Sequence, residues 1–432
     1  MIKIKKRYMI LTGLFLMACF VSFIIINTNN SSKKMGNPVD FLIEIHDKIL
    51  ENYWEKIDNK ELLALYGLGM QKLGKIIDPT IVDVPDLKSK LEDIYKQIEN
   101  DEDKIKFSTD LASIVLYNIK PAGRSGLYTE AKEKELWETV GNVDKTTNLY
   151  EEIGVSTTTP PEEISKIANE KILELNKIVN DKTKSESNRQ EAEQKLAKVE
   201  RAKETLTSEE TKQTYDQSGT ETTVYAEIIN RNIFYIKIKR MSLTTPDEFL
   251  QMADKYKNNK ELKFLILDLQ GNIGGSIDML PYLLGFFIGN NQYAYEFYHR
   301  GEFEPYKTKT DKIPLIADFK RVVILQDEKG QSSAELMASV LKKYNFGVLV
   351  GIPSMGWGTI ERVFDLENQI SDKETYKMFL VHRITLREDG QPIQDRGVDP
   401  VINITNTNWT TQLYDYVGNN NLVRVVRNLV QK

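Results

Sequence analysis

Ser332 stands in Gly330-Gln331-Ser332-Ser333-Ala334-Glu335, between the apolar run Val322 to Leu325 and a helix expected over Ala334 to Lys343. A serine hydroxyl is a weak nucleophile until a base takes its proton. The tetrahedral intermediate of acyl transfer also needs backbone amides aimed at its oxyanion. Ser332 is the candidate nucleophile. The amide of Ser333, at the positive end of the expected helix, is a candidate oxyanion donor. Gly274 and Gly275 allow close backbone approach, and either is the candidate second donor. The candidate bases are Glu361, Lys329, His299 and His382, and none has a spacing that singles it out. A plainer assignment also fits Ser332 or Ser333, which is simply to cap the helix that follows.

Three apolar runs each stop at a loop of small residues. Phe264 to Leu269 leads into Gln270-Gly271-Asn272-Ile273-Gly274-Gly275. Val322 to Leu325 leads to the Ser332 loop, and Val348 to Gly351 leads to Ser354-Met355-Gly356-Trp357-Gly358-Thr359. Such runs read as buried strands with the loops at their C-terminal ends. Ligand and catalytic sites of α/β folds collect at those ends. Upstream, Val224 to Ile229 and Ile233 to Ile238 read as a hairpin. Thr245-Pro246-Asp247-Glu248 reads as a capping box opening a helix to about Lys257.

These motifs resemble the core of the C-terminal processing peptidases, also called tail-specific proteases. In that family a strand ends in Asp-Leu-Arg-Gly-Asn-Pro-Gly-Gly. A Gly-Ser-Ala-Ser-Ala-Ser-Glu run, a Gly-Lys-Gly-x-x-Gln turn and a Gly-(Val/Ile)-x-Pro ending follow. This chain has Asp268 to Gly275, Gly330 to Glu335 and Gly397-Val398-Asp399-Pro400 in the same order, over residues 222 to 405. The resemblance reaches weakly to Tyr66-Gly67 and Ile77-Asp78-Pro79. It implies a ClpP/crotonase-like core of ββα units, an α/β fold, and a serine peptidase with Ser332 as nucleophile. The family's base is a lysine twenty-five residues after the serine, helped by a glutamine four further on. Here those positions hold Trp357 and Glu361. Indole has no basic nitrogen, and a glutamate base would need a strongly raised pKa. Two functions therefore stand side by side: a peptidase with an unassigned base, and an inactive member whose groove binds polypeptide.

The rest of the chain sets the context. At 432 residues it suits two or three domains. A net charge of -5 without a basic stripe argues against nucleic acid. One cysteine excludes an intramolecular disulfide, and with three histidines it leaves almost nothing for a zinc or iron site. No cofactor motif is present. Lys3, Lys5, Lys6 and Arg7 precede an uncharged apolar stretch from Tyr8 to Ile26, which as a helix would span about 28 Å. The expectation is a single-pass membrane anchor with the bulk of the chain extracytoplasmic, the alternatives being a signal peptide or lipidation at Cys19.

Residues 39–146 read as a helical region in which His46 lies on or beside an apolar face. A histidine base from that region serves some relatives of the peptidases; a helix-face histidine without chemistry is the simpler assignment. Residues 147–220 carry Leu149-Tyr150-Glu151-Glu152-Ile153-Gly154-Val155, an expected helix pair, and Tyr215-Asp216 at the end. This segment resembles a J domain, the co-chaperone module. The family's His-Pro-Asp loop reads Val179-Asn180-Asp181 here, so the resemblance implies the fold without the chaperone-stimulating activity. It stands where the peptidases carry a PDZ domain. The expected layout is thus residues 1–38 (basic stub, anchor and tether), 39–146, the inserted all-α segment 147–220 and the peptidase-like core 221–432, with a polypeptide as the partner and no chaperone partner.

Overall fold

The computed structural model describes residues 36–142, 148–181, 183–184 and 186–431. The chain divides into two units: residues through Glu51 with 57–130 and 363–379, and residues 52–56 with 131–362 and 380–432.

The first unit holds α1 (Pro38–Asn52), α2 (Asn59–Lys72), α3 (Val84–Lys96), α4 (Asp101–Asn118) and β1 (Gly126–Thr129). The three- and four-residue spacing of apolar side chains gives each helix one buried face. Phe41, Leu42, Ile45, Leu62, Tyr66, Leu91 and Leu111 are fully buried. The Asp58 and Asn100 carboxylate and amide oxygens accept from Lys60 N and Asp103 N, at 2.7 Å each, and start α2 and α4.

The second unit begins with α5 (Glu130–Gly141), then α6 (Leu149–Ile153), α7 (Pro161–Asn180), α8 (Glu186–Leu206) and α9 (Glu209–Ser218). Helices α6 to α9 close around their own apolar cluster, which includes Leu149, Ile164, Ala168, Val199, Ala202 and Leu206. Next come β2 (Val224–Ile229), β3 (Ile233–Ile238), α10 (Thr245–Tyr256), β4 (Phe264–Asp268), α11 (Leu280–Ile288), β5 (Tyr293–His299), β6 (Glu302–Lys307), α12 (Pro314–Ala317) and β7 (Arg321–Gln326). The chain ends with α13 (Ser333–Lys343), β8 (Val348–Gly351), β9 (Thr359–Asp365), β10 (Tyr376–Thr385), β11 (Ile402–Asn403), α14 (Trp409–Val417) and α15 (Asn420–Val430).

Two sheets form. One has the order β11-β8-β7-β4-β3-β2. It is parallel except for the β2–β3 hairpin. In the other, β5 pairs antiparallel with β6 and with Ile384–Thr385 of β10. The first four residues of β10 pair with β1. The middle residues of β4, β7 and β8 are apolar because both faces of the sheet are covered. Leu265, Leu267, Val322 and Ile324 pack on one side with α10, α11 and α13. Ile266, Val323 and Leu325 pack on the other with α14 and α15. This places the C-terminal ends of β4, β7 and β8 side by side.

Two expectations change. Thr244, not Thr245, is the N-cap of α10. Glu248 accepts from Thr244 Oγ1 at 2.6 Å and from the amides of Thr223 and Val224, so it fastens the helix to β2. The single-pass membrane protein is also withdrawn. Among the described residues no helix is long and apolar enough to cross a membrane, and the stretch 8–26 that motivated it lies outside the described residues.

Phe249 is fully buried and packs its ring 5.7 Å from Phe286 and 5.3 Å from Phe287. Phe249→Ala should cost about 3–5 kcal/mol, measured as a lower urea midpoint with an unchanged slope.

Candidate active site

The loop after β7 turns sharply into α13 at Ser332, whose φ and ψ are 55° and -124°. A non-glycine residue pays for positive φ. A strained strand-to-helix turn of this kind is how a nucleophile elbow displays its hydroxyl. Ser332 is half-buried and Ser333 fully buried.

The loop after β4 lies against this turn. Gln331 N donates to Asn272 O at 3.0 Å, and Gly271 N donates to Asp327 Oδ1 at 2.9 Å. Gly274 has φ 84°, and a Cβ there would sit 2.7 Å from Ser332 Cβ and 3.2 Å from Ser333 N. Gly275 has φ 133°, and a Cβ there would collide with Met241 O at 1.9 Å. Met241 N donates to Gly274 O, and Ser276 N to Met241 O, at 2.9 and 2.8 Å. The two candidate glycines are therefore different. Gly274 N is committed to Asn272 Oδ1 at 2.9 Å. The amides of Gly275 and Ser333 make no hydrogen bond among the described residues.

The third loop, after β8, is held by Glu335. This carboxylate is 1% exposed. Its Oε1 accepts from Ser354 Oγ at 2.6 Å and Gly356 N at 2.7 Å. Its Oε2 accepts from Ser332 N and Trp357 N, at 2.8 Å each. Burial pushes the Glu335 carboxyl above its ordinary range, and these four hydrogen bonds pull the other way. The reading of the sequence missed Glu335 as a site residue, although Ser332-x-x-Glu335 has the form of a capping box.

Glu361 lies beside Trp357. The indole Nε1 donates to Glu361 Oε1 at 3.2 Å, and Thr359 Oγ1 donates to the same oxygen at 2.5 Å. The other candidate bases lie elsewhere. Lys329 is exposed. His299 Nδ1 bonds His382 O at 2.6 Å, and His382 Nδ1 bonds Asn52 O at 2.7 Å. Burial lowers the His382 pKa, with His299 a smaller contribution. His46 is fully buried within the first unit, between Asp47 Oδ1 and Asn59 Oδ1 at 2.9 Å each. No histidine, lysine or carboxylate side chain hydrogen-bonds the Ser332 hydroxyl among the described residues. No cluster of three or more metal-ligating side chains occurs among them.

Ser332 thus occupies a strained strand-to-helix turn packed against the Gly274 loop, and the amides of Ser333 and Gly275 make no hydrogen bond among the described residues. Residues 232–404 match peptidase family S41. The carboxy-terminal processing protease CtpA of Bacillus subtilis (strain 168) is 30% identical over 182 residues, which are 42% of this chain and 36% of that protein. CtpB of the same organism is 27% identical over 187 residues, again 42% and 36%. The photosystem II D1 C-terminal processing protease aligns over 44% of this chain and 50% of its own, with 16% identity and a TM-score of 0.37. Residues 232–404 are thus similar to the core of the C-terminal processing peptidases. The chain spans about a third of the length of the curated relatives it matches.

Because burial raises the Glu335 pKa, the folded chain keeps that proton to higher pH than the unfolded chain. Its contribution to stability should therefore fall as pH rises from about 4.5 through the raised value. Urea unfolding of wild type and Glu335→Gln across this window should give a difference that shrinks or turns against wild type with rising pH. A difference independent of pH would contradict the assignment.

Proposed function

We propose that this protein is a polypeptide-binding member of the C-terminal processing peptidases whose serine is displayed but not activated. The observation that carries this reading is the hydrogen bond from Trp357 Nε1 to Glu361. By the family pattern Trp357 stands in the position of the lysine base, and an indole N–H only donates. A polypeptide would lie across the elbow with a backbone carbonyl oxygen facing the amides of Ser333 and Gly275. Without a base the Ser332 proton has no acceptor, and attack stops there.

On this reading the core, residues 221–432, is of the ClpP/crotonase-like type, following the helical region 39–146. The helices of 147–220 form a J-like module. The apolar cluster they share supports a separate fold. Asp181, the one match to His-Pro-Asp, accepts from Thr183 N and Oγ1 in its own turn, which supports a structural use.

A peptidase working through Glu361 is the second reading. It is favoured by the strain kept at Ser332, a cost of about 1–3 kcal/mol that simple binding does not need. Trp357→Lys separates the two. If only the base is missing, this variant should hydrolyse unstructured polypeptide about 10²-fold faster than wild type or more. Ser332→Ala in the same background should remove the gain. Wild-type hydrolysis that needs Ser332 and Glu361 would instead support the second reading.

A further inference from the structure

Four donors from two stretches of chain converge on the one Glu335 carboxylate. One is the amide of Ser332, at the elbow. The other three are Ser354 Oγ, Gly356 N and Trp357 N, in the loop after β8. No charged side chain hydrogen-bonds this carboxylate among the described residues, so its charge is met by these donors alone. Hydrogen bonds to an ionised acceptor are shorter and about twice as strong as neutral ones, and burial removes competing water. The same loop is joined to the elbow a second time, through Met355 N to Gly330 O at 3.0 Å.

We propose that Glu335 is the positioning residue of this site: one buried carboxylate fixes the Ser332 backbone and the 354–357 turn relative to each other, so that the nucleophile and whatever side chain stands at 357 are presented as a pair. This rests on the reading of Ser332 as the nucleophile position. Only the backbone of Trp357 takes part in the clamp, so the hold does not depend on which side chain position 357 carries. The cost of the arrangement is a desolvated charge. Glutamine is no substitute, because its amide nitrogen would face a donor and it keeps one acceptor oxygen in place of two.

The test uses the full chain. Amide hydrogen exchange is read by mass spectrometry over 330–337 and 353–358, with β4 as the internal control. Glu335→Gln should speed exchange in both stretches together, by tenfold or more, and leave β4 unchanged. Ser354→Ala keeps the charge and removes one donor. It should give a smaller increase, again in both stretches, and it decides the matter if Glu335→Gln does not fold. In wild type, the amide protons of Ser332, Gly356 and Trp357 should follow the Glu335 carboxylate carbon through one shared titration midpoint, a signature that packing alone does not produce. Loosening confined to one stretch, no loosening, or separate midpoints would overturn the proposal. None of these readouts requires catalysis. An unreactive Ser332 would leave them intact, and a hydrolytic wild type would bear only on the function proposed above.

Discussion

The site depends on how a buried carboxylate is satisfied. Glu335 sits in the first turn of α13 and is nearly inaccessible to water. A carboxylate in such a place is tolerated only if its oxygens are hydrogen-bonded. Glu335 meets that demand with groups from the elbow and from the loop after β8, and so ties the two together. The parallel sheet supplies the rest. It aligns the ends of β4, β7 and β8, which brings the glycine loop, the serine turn and the Trp357 turn to one edge. The apolar faces make this a rigid platform; each fully buried aliphatic or aromatic side chain adds about 1.5–3 kcal/mol.

On that platform the loops after β4, β7 and β8 meet at Ser332. The serine is held in a strained turn. The amides of Gly275 and Ser333 are unengaged among the described residues, while Gly274 N bonds Asn272 Oδ1. Among the described residues no histidine, lysine or carboxylate side chain hydrogen-bonds the Ser332 hydroxyl. The N–H of the Trp357 indole is spent on Glu361. His299 and His382 each bond a backbone carbonyl through Nδ1, and His46 is enclosed in the first unit.

Much of this was legible in the sequence where a local pattern has a local cause. The apolar runs ending at β4, β7 and β8 and the hairpin β2–β3 follow from burial and strand length, and the three ordered motifs led to the family that residues 232–404 match. What could not be read were matters set by distant partners. Nothing near Glu335 in sequence announces that Gly356 and Trp357 will donate to it. Nothing near Gly274 shows that the Asn272 side chain will take its amide. Glu248 had the look of a helix cap yet also bonds the start of β2. The membrane expectation rested on an apolar stretch outside the described residues, and no helix among the described ones can span a bilayer.

The most direct test of the account is whether Ser332 is an activated nucleophile in the wild-type protein. The folded full chain would be treated with a fluorophosphonate probe and any adduct located by mass spectrometry, with Ser332→Ala alongside. Ser332 should gain no adduct beyond the background of other serines. An adduct on Ser332 in the wild type, lost in Ser332→Ala, would contradict it and would mean that an unrecognised base reaches the serine hydroxyl.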